Sequence, residues 1–202
     1  PANPVIEKLD FDFASCGYAL CIVDTGGSHS DLTDEYAAVR KEMESVAEYL
    51  GKSVLREVDE DEFMKNIADI RSSCGDRAVL RAMHFYGDNA RVEKQAAALK
   101  AGDFETFKKY IIESGRSSYM YNQNVYSCKK ASEQPVSLAL SLSEKLLDGC
   151  GAWRVHGGGF AGTIQAFVPL NKLDEYKDLM EKVFGSGSCY ILSVRPVGGV
   201  EL

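Results

Sequence analysis

These 202 residues contain no Cys-x-x-C pair and no run of basic residues. The six cysteines, Cys16, Cys21, Cys74, Cys128, Cys150 and Cys189, are scattered, and the three histidines stand apart from them. Paired zinc spacings are therefore excluded, and the thiols read as reduced, in a cytoplasm. A formal net charge of −7 argues against duplex nucleic acid as a partner, because that binding is driven by Lys and Arg neutralising phosphates. No apolar stretch approaches the length of a membrane span, and no charged segment followed by an apolar one opens the chain. Neither membrane insertion nor export is expected. Internal repeats and low-complexity tracts are also lacking.

What is present is core-forming material. At 45% apolar composition the chain can bury a real core, as one domain or one plus a small appendage. It begins Pro1-Ala2-Asn3 and runs within a few residues into a strand-like segment, which suggests a piece of something longer.

The chain is organised around Gly151 to Pro169, two β-like runs joined by a loop with three consecutive glycines, Gly157, Gly158 and Gly159. Positions without Cβ atoms allow φ > 0 and let another backbone, or a phosphate, come close. Gly157-x-Gly159-x-x-Gly162 has the spelling of a dinucleotide turn, but it leads into a Thr-Ile-Gln-Ala-Phe-Val strand where that turn must open a helix. His156-Gly157-Gly158-Gly159 spells an esterase oxyanion segment, yet the G-x-S-x-G elbow it requires is absent; Gly26-Gly27-Ser28-His29-Ser30 misses at its last position. The glycines alone are equally compatible with a plain turn.

In chain order, Val5 to Phe13 and Tyr18 to Asp24 predict a hairpin across Ala14 to Gly17, with the second, continuously apolar run buried on both faces. Asp24, Ser28 and His29 follow in a polar loop that is either a site lining or a solvated turn. Leu32, Tyr36, Val39, Met43, Val46 and Leu50 recur at helical spacing, with Asp31 as N-cap and Gly51 as stop. Leu55 to Phe63 reads as a strand end followed by an acidic helix start. A long helix spans Asp76 to Ala101, with Val79, Met83, Tyr86, Ala90 and Ala97 on one side and Gly87 as a point of close helix packing. Gly102 and Asp103 stop that helix and cap the next, which carries Phe104, Phe107 and Ile111. Tyr119 to Ser132 is a long polar stretch. Further helices cover Val136 to Leu147 and Leu170 to Phe184, and a last strand runs from Cys189 to Val194. The order implies an α+β fold, an antiparallel sheet backed by helices.

Several of these segments together resemble the galactokinase family of the GHMP kinase superfamily, over nearly the whole chain and in its C-terminal portion. Arg154, Gly157, Gly159, Phe160 and Gly162 fit the family's third motif, G-x-R-M-T-G-x-G-F-G-G-C, with His156 in place of Thr and Ala161 in place of Gly. Tyr36, Arg40 and Glu42 fit S-E-Y-N-x-R-R-x-E-C, where Ala37 and Val39 depart from it. Leu55 to Phe63 is similar to L-R-D-V-x-x-E-E-F, and His84 to Val92 to H-x-x-x-E-N-x-R-V. Gly102-Asp103 through Glu113-Ser114 follows the family closely, after which Gly115 replaces a His.

The resemblance implies a ferredoxin-like GHMP kinase C-terminal domain with added helices over residues 31–202, preceded by a hairpin over 1–30 that links to an N-terminal domain. It implies a parent enzyme transferring the γ-phosphate of ATP to the anomeric hydroxyl of galactose or a related sugar. ATP and Mg would be bound mainly by the N-terminal domain, whose Ser-rich phosphate loop and Asp are not in this sequence. This chain would then hold no catalytic residue and no metal ligand, and would be inert alone. Tyr36 is implied to approach the monosaccharide. Gly157, Gly158, Gly159, Phe160 and Gly162 are implied to shape the nucleotide end of the cleft, with Arg154 and His156 in support; for His84 and Arg91, on their helix, a structural role outweighs a catalytic one. The substitutions at Ala37, Val39, His156 and Ala161 keep a second class open, a non-catalytic sugar- or nucleotide-binding module or pseudokinase. An unrelated α+β interaction domain is the blander third.

Overall fold

Seven residues, Tyr18–Asp24, form strand β1, and its two edges are occupied by strands distant in sequence. The computed structural model describes residues 6–9, 11–27 and 32–194. Helix α1 (Thr33–Tyr49) follows, then α2 (Glu60–Lys65), α3 (Ile67–Cys74), α4 (Asp76–Lys100), α5 (Phe104–Ser117) and α6 (Pro135–Leu147). The chain returns to the sheet with β2 (Ala152–Val155) and β3 (Thr163–Pro169), crosses on α7 (Leu173–Phe184) and ends its regular structure at β4 (Cys189–Leu192). Sheet order is β2-β3-β1-β4, every pair antiparallel. With α6 and α7 on one face, this is the ferredoxin-like β-α-β-β-α-β arrangement expected from the sequence.

The sheet separates two cores. On one face Cys21, Val23, Trp153, Val155, Ile164 and Ala166 pack against Leu147 of α6 and Tyr176 and Met180 of α7. On the other, Phe104, Phe107 and Ile111 of α5 meet Ala152 and Phe167. β1 accordingly alternates, with Ala19, Cys21 and Val23 fully enclosed and Tyr18, Leu20 and Ile22 half-buried, rather than being sealed equally on both sides. A third cluster, Val46, Phe63, Ile70, Val79 and Tyr86, ties α1 to α2, α3 and α4 away from the sheet. Burying a side chain of this size stabilises by about 1.5–3 kcal/mol, so each cluster can hold its helices in place.

Helix ends follow local chemistry. Asp59 accepts from the N–H groups of Asp61 and Glu62, and Asp103 from Thr106, each satisfying orphan donors of a first turn. Gly51 stops α1 at φ 72°. The Asp31 cap, and Ser28 and His29, lie outside the described residues.

Four expectations need correction. The hairpin over 1–30 does not form among the described residues: no strand precedes β1, and Ala14–Cys16 is a 3-10 turn. With β3 and β4 on its two edges, β1 has no ladder left to offer. Instead the Phe13 ring packs 5.0 Å from Phe167 and 5.9 Å from Phe107, and Phe11 stacks on Phe104 at 5.9 Å. Leu55–Glu57 is a 3-10 turn, not a strand end. A Cβ on Gly87 would meet the Arg91 guanidinium at 3.3 Å, so the space is taken by a side chain of the same helix and not by a neighbouring one. Met83 stands 39% exposed and Ala90 and Ala97 are exposed as well, so of that stripe only Val79 and Tyr86 are buried.

Candidate functional site

The loop between β2 and β3 is held from behind and open in front. His156 N–H closes the hairpin on the Thr163 carbonyl at 3.0 Å. Gly157, Gly159 and Gly162 then take φ of 68°, 82° and 95°, and Phe160 takes 59°, values L side chains rarely adopt. Phe160 N–H donates to the Asn124 carbonyl at 2.5 Å, and Ala161 N–H to the Gly159 carbonyl at 2.7 Å. Asn124 also donates through Nδ2 to the Gly158 carbonyl at 3.1 Å. Thr25 places both its N–H and its hydroxyl on the Gly162 carbonyl, at 2.8 and 2.6 Å.

Tyr36, in the first turn of α1, completes the clamp. Its hydroxyl donates to the Gly159 carbonyl at 2.8 Å, and its ring meets Phe160 edge-on at 5.3 Å between centroids. A Cβ on Gly158 would come within 2.7 Å of Tyr36 Cε1. Burial holds the Tyr36 phenol above its ordinary range, keeping it a donor. Tyr36→Phe is expected to cost about 1 kcal/mol in chemical denaturation, the worth of one hydrogen bond; a side chain that only fills space would show no measurable loss.

Of the loop, His156, Gly157 and Gly158 are exposed, whereas Gly159, Phe160, Ala161 and Gly162 are buried. The sequence placed the whole span on a site wall. In the structure its second half is an anchor, with Phe160 and Ala161 packed against Leu32, Tyr36 and Val39. The outward glycines border a cavity of about 500 Å³ whose walls include Tyr36, Val39, Met43, Phe85, Asn122 and Asn124.

Arg154 and His156 do not converge on that cavity. Arg154 lies toward α5, its Nε on the Val155 carbonyl at 3.2 Å, and burial lowers its pKa against the pull of Asp88. Gly115 makes this packing possible: a Cβ there would stand 2.9 Å from Arg154 Cβ and 3.1 Å from the Trp153 carbonyl. His156 is exposed and pairs Nδ1 with Gln165 Oε1 at 3.1 Å. Asn124 and Thr25 are the loop-holding residues the sequence did not single out. The long polar stretch 119–132 was the available signal for Asn124, and it folds against the loop. The same stretch places the Ser127 hydroxyl on buried Glu35 at 2.7 Å.

Among the described residues no group of three or more His, Cys, Asp or Glu side chains is placed to hold a metal ion. Two outward glycines bordering a mostly apolar cavity make a wall; they do not by themselves make a phosphate cradle.

Behind Arg154 lies a buried polar knot on α4 and α5. His84 Nδ1 is 2.9 Å from Ser117 Oγ and Nε2 is 3.9 Å from Asp88 Oδ2, while Asp88 also receives Ser114 Oγ at 2.6 Å and Arg91 Nη1 at 3.1 Å. Burial pushes the His84 pKa below its ordinary 6.5, Asp88 opposing and Arg154 and Arg91 adding to the shift. The neutral ring is the one that fits. A folded-state value below the unfolded one contributes stability that is present above about pH 6.5 and is lost as pH falls from there through the folded-state value. Urea midpoints at pH 7.5 and 5.5 should therefore drop further in the wild type than in His84→Gln; equal drops would contradict it.

No family model matches the chain. Curated relatives do. The galactokinase of Homo sapiens is 31% identical over 184 residues, 91% of this chain and 44% of that protein. That of Thermosipho africanus is 29% identical across 88% of this chain and 47% of its own length, and that of Actinobacillus pleuropneumoniae serotype 5b is 26% identical across 81% and 41%. Among solved structures, Lactococcus lactis galactokinase complexed with galactose superposes with a TM-score of 0.65 at 21% identity, covering 88% of this chain and 45% of that one. The chain thus shares the fold of part of that structure, a four-stranded antiparallel sheet backed by helices. In sequence the chain resembles galactokinases, in keeping with their C-terminal portion, and it spans less than half the length of the relatives it matches. No helix among the described residues is long and apolar enough to cross a membrane.

Proposed function

We propose that this chain is the C-terminal half of a cytoplasmic, galactokinase-like sugar kinase whose parent moves the ATP γ-phosphate to the anomeric hydroxyl of galactose or a related monosaccharide. The observation that carries the proposal is galactokinase likeness over 81–91% of the chain, together with a glycine loop clamped to Tyr36 at a cavity rim. On this reading Gly157 and Gly158 form the wall at the nucleotide end. The Tyr36 ring faces the sugar side while its hydroxyl holds the loop, and Arg154 and His156 support β2 and the hairpin without touching ligand. Phosphoryl transfer is mostly positioning and charge stabilisation. ATP and Mg would be held mainly by the N-terminal GHMP domain, joined through the segment before β1, and this chain alone would be inert.

One observation favours a second reading. Val39 stands where the family pattern has an Arg, and it packs with Leu32, Phe160 and Ala161, while Arg40 is turned onto Glu44 at 2.7 Å. The cavity wall is therefore apolar at position 39, a loss that a non-catalytic sugar- or nucleotide-binding module would tolerate, although Arg40 and Arg56 also line the cavity.

The test is a kinase assay on the full-length open reading frame with a panel of monosaccharides, run beside the isolated chain. Phosphorylation by the full-length protein alone supports the first reading. Sugar or nucleotide binding without turnover transfers support to the binding module. Turnover by the isolated chain would sink the half-enzyme proposal.

A further inference from the structure

The glycine loop is anchored to Asn124, and Asn124 is itself held from the opposite side. Asn122 closes a π turn over Ser118–Asn122, and Gln123 follows in the left-handed region at φ 54°, its N–H returning to the Ser118 carbonyl at 2.8 Å. That reversal aims the Asn124 carbonyl at Phe160 N–H. Beneath the turn lies Arg81 of α4, 0% exposed. Its Nε donates to the Asn122 carbonyl at 3.0 Å, and its Nη1 donates to Glu42 Oε2 of α1 at 2.9 Å. Glu42 in turn takes both Nε and Nη2 of Arg77, the latter at 2.5 Å.

We propose that Arg81 is a positioning residue for the glycine loop, acting through Asn122 and Asn124, although it touches neither the loop nor the cavity. The planar fork is what suits it. One guanidinium joins a carboxylate on α1 to a carbonyl in the π turn along two fixed directions, which an ammonium on a flexible stem does not reproduce. A buried Arg is costly unless both its charge and its donors are met. Here the charge is met by Glu42 and the Nε donor by the Asn122 carbonyl, on the two segments that flank the loop's support, since Tyr36 stands on the same helix as Glu42. Fixing α1 against the π turn therefore sets the spacing between the two groups that grip the loop, the Tyr36 hydroxyl and the Asn124 carbonyl.

Amide hydrogen exchange of the chain tests this. In Arg81→Gln, Glu42 keeps Arg77, and the Phe160 amide should exchange on the order of tenfold faster, with α3 and β1 unchanged. Arg77→Gln, which removes a partner of the same carboxylate without touching the π turn, should leave the loop protected. So should Asn122→Ala, because Arg81 uses the backbone carbonyl there. Wild-type loop exchange in folded Arg81→Gln, or equal loosening by Arg77→Gln, overturns the proposal. If Arg81→Gln does not fold, Arg81→Lys decides it: faster Phe160 exchange with intact α3 protection supports the role, and unchanged exchange overturns it.

The consequence for catalysis rests on the kinase reading above. In the full-length protein Arg81→Lys should raise KM for ATP several-fold with kcat near wild type, a split that general destabilisation does not give. A full-length protein without kinase activity would remove the proposed function and leave the exchange result to decide the positioning role.

Discussion

Gly159→Ala is expected to destabilise the protein by about 3 kcal/mol, combining roughly 1–2 kcal/mol for a left-handed L residue with about 1–3 kcal/mol of overpacking. At φ 82° the new Cβ would land on the Asn124 carbonyl oxygen, with Asn124 Nδ2 at 2.8 Å. That carbonyl accepts the Phe160 N–H, so it cannot withdraw without giving up the loop's main tether. Gly157→Ala is the control: its φ of 68° is also left-handed, but nothing lies within 4 Å of its Cβ. It should cost only the conformational part, about 1–2 kcal/mol. Urea denaturation of the two variants separates the effects, and equal losses would show that the Asn124 contact is not what requires glycine at position 159.

Glu42→Ala should cost a similar amount, about 3 kcal/mol, because it strands a charge. The Arg81 side chain is 1% exposed against 23% for Glu42. Burial already lowers the Arg81 pKa and Glu42 opposes that shift, so removing the carboxylate leaves the guanidinium with the Asn122 carbonyl alone. Arg77→Ala should cost well under 1 kcal/mol, since that side chain is 44% exposed and water replaces its partner. Thermal unfolding of the pair measures the difference; near-equal values would mean that the Arg81 charge is not confined by Glu42.

The helices α1, α4, α5, α6 and α7 were legible from spacing and punctuation. Leu32 to Leu50 recur on one face, Gly51 and the Gly102-Asp103 pair stop and start helices, and Phe104, Phe107 and Ile111 fall together on the buried side of α5. Those signals act within a few residues of chain. Partnership was not legible. The expected hairpin before Asp24 fails because the edges of β1 are filled by β3, more than a hundred positions later, and by β4. The space at Gly115 is set by Trp153 and Arg154, and nothing near Gly115 in sequence announces them.

The same division runs through the site. The triple glycine and Tyr36 stood out from the sequence, and the structure brings them together across 123 residues. Which glycines face outward, and that Phe160 is an anchor, followed only once α1 and the π turn had closed on the loop from two sides.

The sequence by itself determined the α+β class, the bounds of α1, α4, α5, α6 and α7 within a turn or so, the galactokinase likeness and the glycine-rich hairpin loop, because periodicity, caps and glycine content are local properties. Tertiary structure decided strand pairing, the separation of Arg154 and His156 from the cavity, and the support of the loop by Asn124 and Arg81. Hydrogen-bond partners and excluded volume depend on which distant segments share a space, and no local pattern encodes that.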